Sequence, residues 1–171
     1  DYFGDGKRWG VTIKYIHEDI PLGTAGAFGL LPSGITNLPI IMMNGDLLTK
    51  VDFGQLLEFH NNRKNLATIC VSKYDIKVPY GVIDHQDDLI KDIVEKPTHN
   101  FFINAGIYVL DPSIRKNVDR ESYLDMPNLL KQQIKNGDNI NMFPIHEYWL
   151  DIGRMDEYEK AHEVYESEFN S

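Results

Sequence analysis

Two carboxylates in this 171-residue chain stand at the same kind of place, the abrupt end of an apolar run beside a glycine. One closes Ile40-Ile41-Met42-Met43-Asn44-Gly45-Asp46, and the other lies in Trp149-Leu150-Asp151-Ile152-Gly153. A strand that delivers a carboxylate to its open end presents hard oxygens of the kind that hold Mg²⁺ against a phosphate, and Gly45 lets a ligand approach the main chain closely. Asp46 alone fits an Asx turn closing its strand equally well. A second kind of chemistry is offered by Pro21-Leu22-Gly23-Thr24-Ala25-Gly26-Ala27, where small residues open a helix running to Leu31 with Thr24 placed to cap it. Such a start exposes main-chain N–H groups to the edge of a base or to a phosphate; the plainer alternative is a helix packed closely on its neighbour through Gly and Ala. Glu95-Lys96-Pro97 ends another run, with Pro97 terminating the ladder, and taken alone its carboxylate and ammonium are a solvated ion pair. Asn104 and Gly106 interrupt an apolar strand, and glycine within a strand marks a close approach by ligand or backbone.

These residues need elements to hold them. Val11, Ile13 and Tyr15 alternate with Thr12, Lys14 and Ile16, the pattern of a half-buried strand. The run before Asp46 is apolar on both faces, which suits a covered strand of a parallel sheet. Asp52 and Gln55 have capping-box spacing, Phe53, Leu56, Leu57 and His60 share a helical face, and Arg63 and Lys64 suit the helix end. A strand over 66–73 then completes a strand-helix-strand crossover. Runs at 80–85 and 89–95 around Gln86-Asp87-Asp88 read as a hairpin, followed by a strand over 101–110. Asp125 caps a helix with Pro127 in its first turn, Leu129, Leu130 and Ile134 on one face and Gly137 at its end. Runs at 140–144 and 146–152 read as a strand pair, and Asp156 with Glu159 opens a closing amphipathic helix. The pattern is one α/β domain, in which function gathers at the carboxyl ends of strands.

Composition narrows the chemistry. With 42% hydrophobic and 25% charged residues the chain suits a single folded domain. A net charge of −9 and the lack of a basic stripe interleaved with aromatics argue against nucleic-acid binding, so an anionic ligand must be met by local cations or a metal. The single cysteine, Cys70, excludes a disulfide framework and reads as a small core residue. The six histidines show no zinc-ligand spacing. Without a long apolar span or signal-peptide pattern, the expectation is a cytoplasmic protein that does not engage membrane.

Taken together, Leu22-Gly23-Thr24-Ala25-Gly26, Asn44-Gly45-Asp46, Tyr80-Gly81-Val82, Glu95-Lys96-Pro97, Asn104-Ala105-Gly106-Ile107-Tyr108 and Trp149-Leu150-Asp151-Ile152-Gly153 resemble, in this order, the sugar-phosphate nucleotidyltransferase family. The resemblance implies a Rossmann-like mixed, mainly parallel sheet flanked by helices. It also implies Mg²⁺ and a reaction that joins a nucleoside triphosphate and a sugar 1-phosphate into a nucleotide sugar and pyrophosphate. Carried over by position, the backbone around Leu22, Gly23, Thr24 and Ala25 receives the base, and Asp46 and Asp151 hold the metal. Gly81 lets the sugar lie against the chain, Glu95 accepts from sugar hydroxyls, Lys96 meets the sugar phosphate, and Asn104 and Gly106 line the same pocket. The motifs look most like those of enzymes that make GDP-sugars, such as mannose-1-phosphate guanylyltransferases, which makes GTP the expected donor. Two other readings are a metal-dependent glycosyltransferase in which Asp46 holds a nucleotide sugar, and a non-catalytic regulatory or binding subunit of the same fold. Nothing before Trp9 resembles the family's N-terminal strand and Gly-rich loop. Residues 1–171 are therefore expected to be the C-terminal portion of one catalytic domain, inactive alone, whose open sheet edge favours a homo-oligomer.

Overall fold

The computed structural model describes residues 2–32, 37–120, 122–153 and 155–169, with the backbone alone at Asp156. In chain order these form α1 (Gly23–Gly29), β1 (Ile40–Met43), β2 (Leu47–Thr49), α2 (Phe53–Arg63), β3 (Ala67–Lys77), β4 (Gly81–Gln86), β5 (Leu89–Glu95), β6 (Thr98–Leu110), α3 (Met126–Lys135), β7 (Ile140–Pro144), β8 (Trp149–Asp151) and α4 (Met155–Phe169). Short 3-10 turns lie at Lys7–Trp9 and Pro112–Asn117.

Ala105, Ile107 and Val109 alternate with Tyr108 and Leu110, so the second half of β6 is apolar on both faces and takes an inner position in the sheet. The sheet order is β1-β6-β3-β7, with β6 antiparallel to both neighbours and β3 parallel to β7. β1, β3 and β7 consequently share one direction and β6 runs against them, which is the mixed, mainly parallel sheet the motifs implied. On one face Tyr108, Leu110 and Ala67 pack against Ala25 and Phe28 of α1 and Met126, Leu129 and Leu130 of α3. On the other, Ile107, Val109 and Cys70 pack against Leu56 of α2 with Val51 and Ile145. Burying each such aliphatic side chain contributes about 1.5–3 kcal/mol, so the two clusters hold the layers together.

α2 forms as its sequence anticipates. The Asp52 carboxylate accepts from Gln55 N and from Gln55 Nε2, both at 3.0 Å, and these bonds hold its carboxyl below the ordinary value. Lys64 ends the helix with φ 50°. His60 is buried against Thr68 (Nδ1 to Oγ1, 2.9 Å), a packing residue and not a ligand. The capping role assigned to Asp156 concerns a side chain outside the described set, as does Arg154.

Several expectations give way. Residues 11–16 form no strand: Val11 N and Ile13 N bond only to Gly6 O and Asp5 O, and Val11, Tyr15 and Ile16 are exposed, because no neighbouring strand among the described residues offers them a ladder. β1 is not covered on both sides. Among the described residues only β6 pairs with it, so it lies at the sheet edge with Ile41 and Met43 36% and 43% exposed. The crossover from β1 through α2 does reach a strand of the same direction, but β6 stands between the two. In α3 the buried face takes Gln133 and leaves Ile134 exposed. The run at 146–152 does not pair with β7; its ordered part, β8, pairs instead with β2. β3 and β6 extend beyond the core and continue through β4 and β5 as a two-stranded ribbon whose residues are almost all exposed. No described helix is long and apolar enough to cross a membrane.

Candidate functional site

β2 and β8 are each three residues long, and their pairing makes the site. Leu47 lies opposite Asp151, and Ile152 N donates to Asp46 O at 2.8 Å. The carboxylates of Asp46 and Asp151 therefore sit side by side at the ends of two strands far apart in sequence. Gly153 keeps the space between them open: a Cβ there would lie 3.0 Å from Asp151 Oδ1 and 3.2 Å from Asp46 Oδ2. Gly153 N also donates to Asp151 Oδ1 at 2.9 Å, fixing that carboxylate's direction. Among the described residues no third His, Cys, Asp or Glu joins them in a cage. Two hard carboxylate oxygens around one small open volume fit Mg²⁺, which keeps several waters and completes its shell with substrate phosphates.

The interruption at Asn104 and Gly106 is a bulge. Ile69 of β3 faces Tyr108, but Val71 already faces Asn104, so β6 carries extra residues there. Gly106 has φ 70°, and a Cβ on it would meet Asn44 Nδ2 at 2.8 Å. Asn44 N donates to Gly106 O at 2.9 Å and Trp149 Nε1 to Ala105 O at 2.9 Å, so the bulge ties the β1–β2 turn to β8. Asn104 spends both ends of its amide here: Oδ1 accepts from Gly106 N (3.0 Å) and Nδ2 donates to the Tyr108 hydroxyl (2.6 Å).

A cleft of about 830 Å³ opens beside Asp46. Met42, Met43, Asn44, Gly45 and Asp46 form one wall, Gly23, Thr24 and Ala27 another, and Glu18, Tyr108, Tyr123 and Asp125 complete it. Gly23, Thr24, Gly45 and Asp46 thus share one cleft, whereas Asn104 and Gly106, expected in the same pocket, do not line it, and Leu22 and Ala25 are buried in the core. The expected free N–H groups are largely taken. Leu22 N donates to Glu18 Oε2 (2.8 Å), and Ala25 N and Gly26 N both donate to Leu124 O (2.8 and 3.0 Å). Nor does Thr24 cap its own helix; its Oγ1 accepts from Met126 N at 2.8 Å, at the start of α3. Burial pushes the Tyr108 phenol up, partly offset by the bond from Asn104. Glu18, Tyr108, Tyr123 and Asp125 were not marked as cleft residues by any spacing in the sequence.

Gly81, Glu95 and Lys96 lie elsewhere, at the root of the β4–β5 ribbon, and do not line the cleft. Gly81 pairs with Glu95, and a Cβ on Gly81 would lie 3.0 Å from Glu95 Oε2. Lys96 has φ 46° and its Nζ stands 3.9 Å from Glu95 Oε1, both side chains well exposed.

The family profile described as nucleotidyl transferase matches residues 1–168. The chain belongs to the nucleotidyl transferase family. It is similar to proteins named mannose-1-phosphate guanyltransferase from Pichia angusta (35% identical over 166 residues) and Aspergillus fumigatus (31% over 163). In both cases the match takes in 89% of this chain and 43% of the relative, so the chain spans less than half the length of these proteins. Among solved structures, HddC from Yersinia pseudotuberculosis complexed with GMP-PN superposes with TM-score 0.66 at 27% identity, over 90% of this chain and 67% of that one. A candidate glucose-1-phosphate thymidylyltransferase from Bacillus anthracis, in complex with a sucrose, shares the fold with TM-score 0.71 at 23% identity, over 95% of this chain and 69% of that one.

In this nucleotidyl transferase chain no Cys, Ser, His or Lys among the described residues lines the cleft. Cys70 is buried and its thiol is pushed up to about 12, chiefly by burial, so it supplies no thiolate. The described polar groups that face the cleft are carboxylates, hydroxyls and main chain, which suits positioning and cation binding.

Proposed function

We propose that the protein transfers a nucleotidyl group from a nucleoside triphosphate, GTP in preference, to a sugar 1-phosphate, giving a nucleotide sugar and pyrophosphate. The observation that carries this reading is the convergence of Asp46 and Asp151 on the space kept open by Gly153, beside a cleft whose volume suits a nucleotide. Asp46 and Asp151 would hold Mg²⁺, which supplies neutralisation of phosphate charge when bound. A sugar phosphate oxygen attacks the α-phosphorus; the bond to the β-phosphate oxygen breaks, and pyrophosphate leaves with its electron pair. Glu18 and Thr24 line the cleft and would face the base, where a carboxylate complements the N1–H and 2-amino donors of guanine. Glu95 and Lys96, at the root of the ribbon and outside the cleft, would by the family resemblance take the sugar hydroxyls and the sugar phosphate. The names of the guanyltransferase relatives and the GMP-PN complex of HddC support the choice of GTP and of mannose 1-phosphate as acceptor. Substrates of this kind fit a cytoplasmic protein, and the open edge of β1 favours self-association.

Calorimetric titration of the chain with GTP, UTP, dTTP and ATP in the presence of Mg²⁺ tests the donor. The reading predicts that GTP binds at least about tenfold more tightly than the others, a difference of about 1.4 kcal/mol. Equal heats for all four, or none, would overturn it.

A further inference from the structure

α1 has seven residues, too few to hold its own shape, and its start is built jointly with a segment a hundred residues later. Leu124 N donates to Leu22 O at 2.8 Å, and Leu124 O accepts from Ala25 N and Gly26 N. The side chains of the two helix starts are exchanged. Thr24 Oγ1 takes the N–H of Met126, the first residue of α3, while Asp125 Oδ1 takes the N–H of Thr24 at 3.4 Å. Neither Leu22 nor Asp125, the residues at the two cap positions, bonds its own helix through a side chain.

The glycines of this loop serve the same junction. A Cβ on Gly23 would lie 2.8 Å from both Asp125 Oδ1 and Leu124 O, and one on Gly26 would lie 2.9 Å from Ser122 O. Their smallness admits the 122–125 segment, so the small-residue run answers to this protein neighbour. Asp125 Oδ2 meanwhile accepts from the Tyr123 hydroxyl at 3.0 Å, a bond that raises the Tyr123 phenol. Thr24, Tyr123 and Asp125 all line the cleft that holds Asp46.

We infer that Asp125 and Thr24 form an interhelix clamp that sets the wall of the cleft facing the nucleotide, with Asp125 as a positioning residue for nucleotide binding. This rests on the reading that the cleft takes a nucleoside triphosphate. The clamp acts through Thr24 and Gly23 and includes neither Asp46 nor Asp151, so its loss weakens nucleotide binding and leaves metal binding in the absence of nucleotide unchanged.

The test titrates GTP with Mg²⁺ into the unaltered chain and into Asp125→Ala, Asp125→Asn, Thr24→Val, Thr24→Ser and the double variant Asp125→Ala/Thr24→Val, with Mn²⁺ binding followed in parallel by electron paramagnetic resonance. Asp125→Ala and Thr24→Val each lose about tenfold in GTP affinity, the cost of one cap bond, while Asp125→Asn and Thr24→Ser, which keep the oxygen that each gives to the clamp, stay within about threefold. The double variant is no weaker than the weaker single one, because the two bonds act as a unit, and Mn²⁺ binding in the absence of nucleotide does not change. GTP affinity unchanged in both Asp125→Ala and Thr24→Val overturns the clamp. So does a loss shared equally by Mn²⁺ binding and not restored by Asn or Ser, which marks a general structural defect. Absence of GTP binding by the unaltered chain overturns the functional reading, and the clamp's role with it.

Discussion

Gly153 is the residue on which the carboxylate pair depends. Any Cβ there enters the space between Asp46 and Asp151, at 3.0–3.2 Å from one oxygen of each. Gly153→Ala should weaken Mn²⁺ binding by about tenfold, with a change in unfolding free energy of less than about 0.5 kcal/mol, as expected for a surface substitution. Electron paramagnetic resonance and urea denaturation check the two halves of that statement. At this scale only part of the cleft lining was legible, since Leu22, Ala25, Gly81, Glu95, Lys96, Asn104 and Gly106 do not line it. Gly23, Thr24, Gly45 and Asp46 line the cleft as their motifs suggested, and Gly106 marks a real close approach. Thr24 was legible as a cap but not as the cap of α3, because a local spacing rule cannot see a helix start a hundred residues away. The same reason hid Glu18, Tyr123 and Asp125, whose roles depend on contacts across the fold.

At the scale of elements, long periodic segments announced themselves and short ones did not. α2, α3 and β6 are where their patterns put them, since burial of a repeating face selects one structure. β2 and β8, three residues each, are too short to show a period of two, yet their pairing is what joins Asp46 to Asp151. Alternation at 11–16 was a sound pattern without a partner, and a strand needs both. The junction of α2, β3 and β7 carries a polar network: Asn65 Nδ2 donates to Thr68 Oγ1 (2.8 Å), Asn141 Nδ2 donates to Asn65 Oδ1 (2.6 Å), and His60 meets Thr68. Burial holds His60 below its ordinary value of 6.5, with Asp111 opposing the shift. Below 6.5 the unfolded chain binds a proton that the folded His60 declines, so its contribution is present above 6.5 and lost as pH falls toward the folded value. Urea denaturation at about pH 7.5 and about pH 5.5 should therefore show a smaller loss of stability on acidification in His60→Gln than in the unaltered chain. Equal losses would show that His60 does not contribute to the acid sensitivity.

On the scale of the whole molecule, burial is concentrated in the sheet and not in the ribbon. The two clusters on either side of the sheet hold the buried apolar side chains, whereas Tyr74, Ile76, Ile83, Ile93 and Phe101 of the ribbon are exposed. Leu129→Ala should cost about 2–5 kcal/mol and Ile93→Ser less than about 0.5 kcal/mol, both read by urea denaturation. The shared direction of β1 and β3 followed from the apolar runs and the mixed sheet from the family resemblance, but the strand order followed from neither. An antiparallel strand inserted between β1 and β3 leaves no mark on the pattern of either, and it makes β1 an edge. What unites the molecule is that the turn after β1 and the end of β8, joined by the β2–β8 pairing, bring two carboxylates to one place. The most direct test is Mn²⁺ binding with and without GTP in the unaltered chain, Asp46→Asn and Asp151→Asn, followed by electron paramagnetic resonance. The account predicts that GTP tightens Mn²⁺ binding beyond its affinity for GTP alone, and that either substitution abolishes this enhancement. Enhancement that survives both substitutions would contradict it.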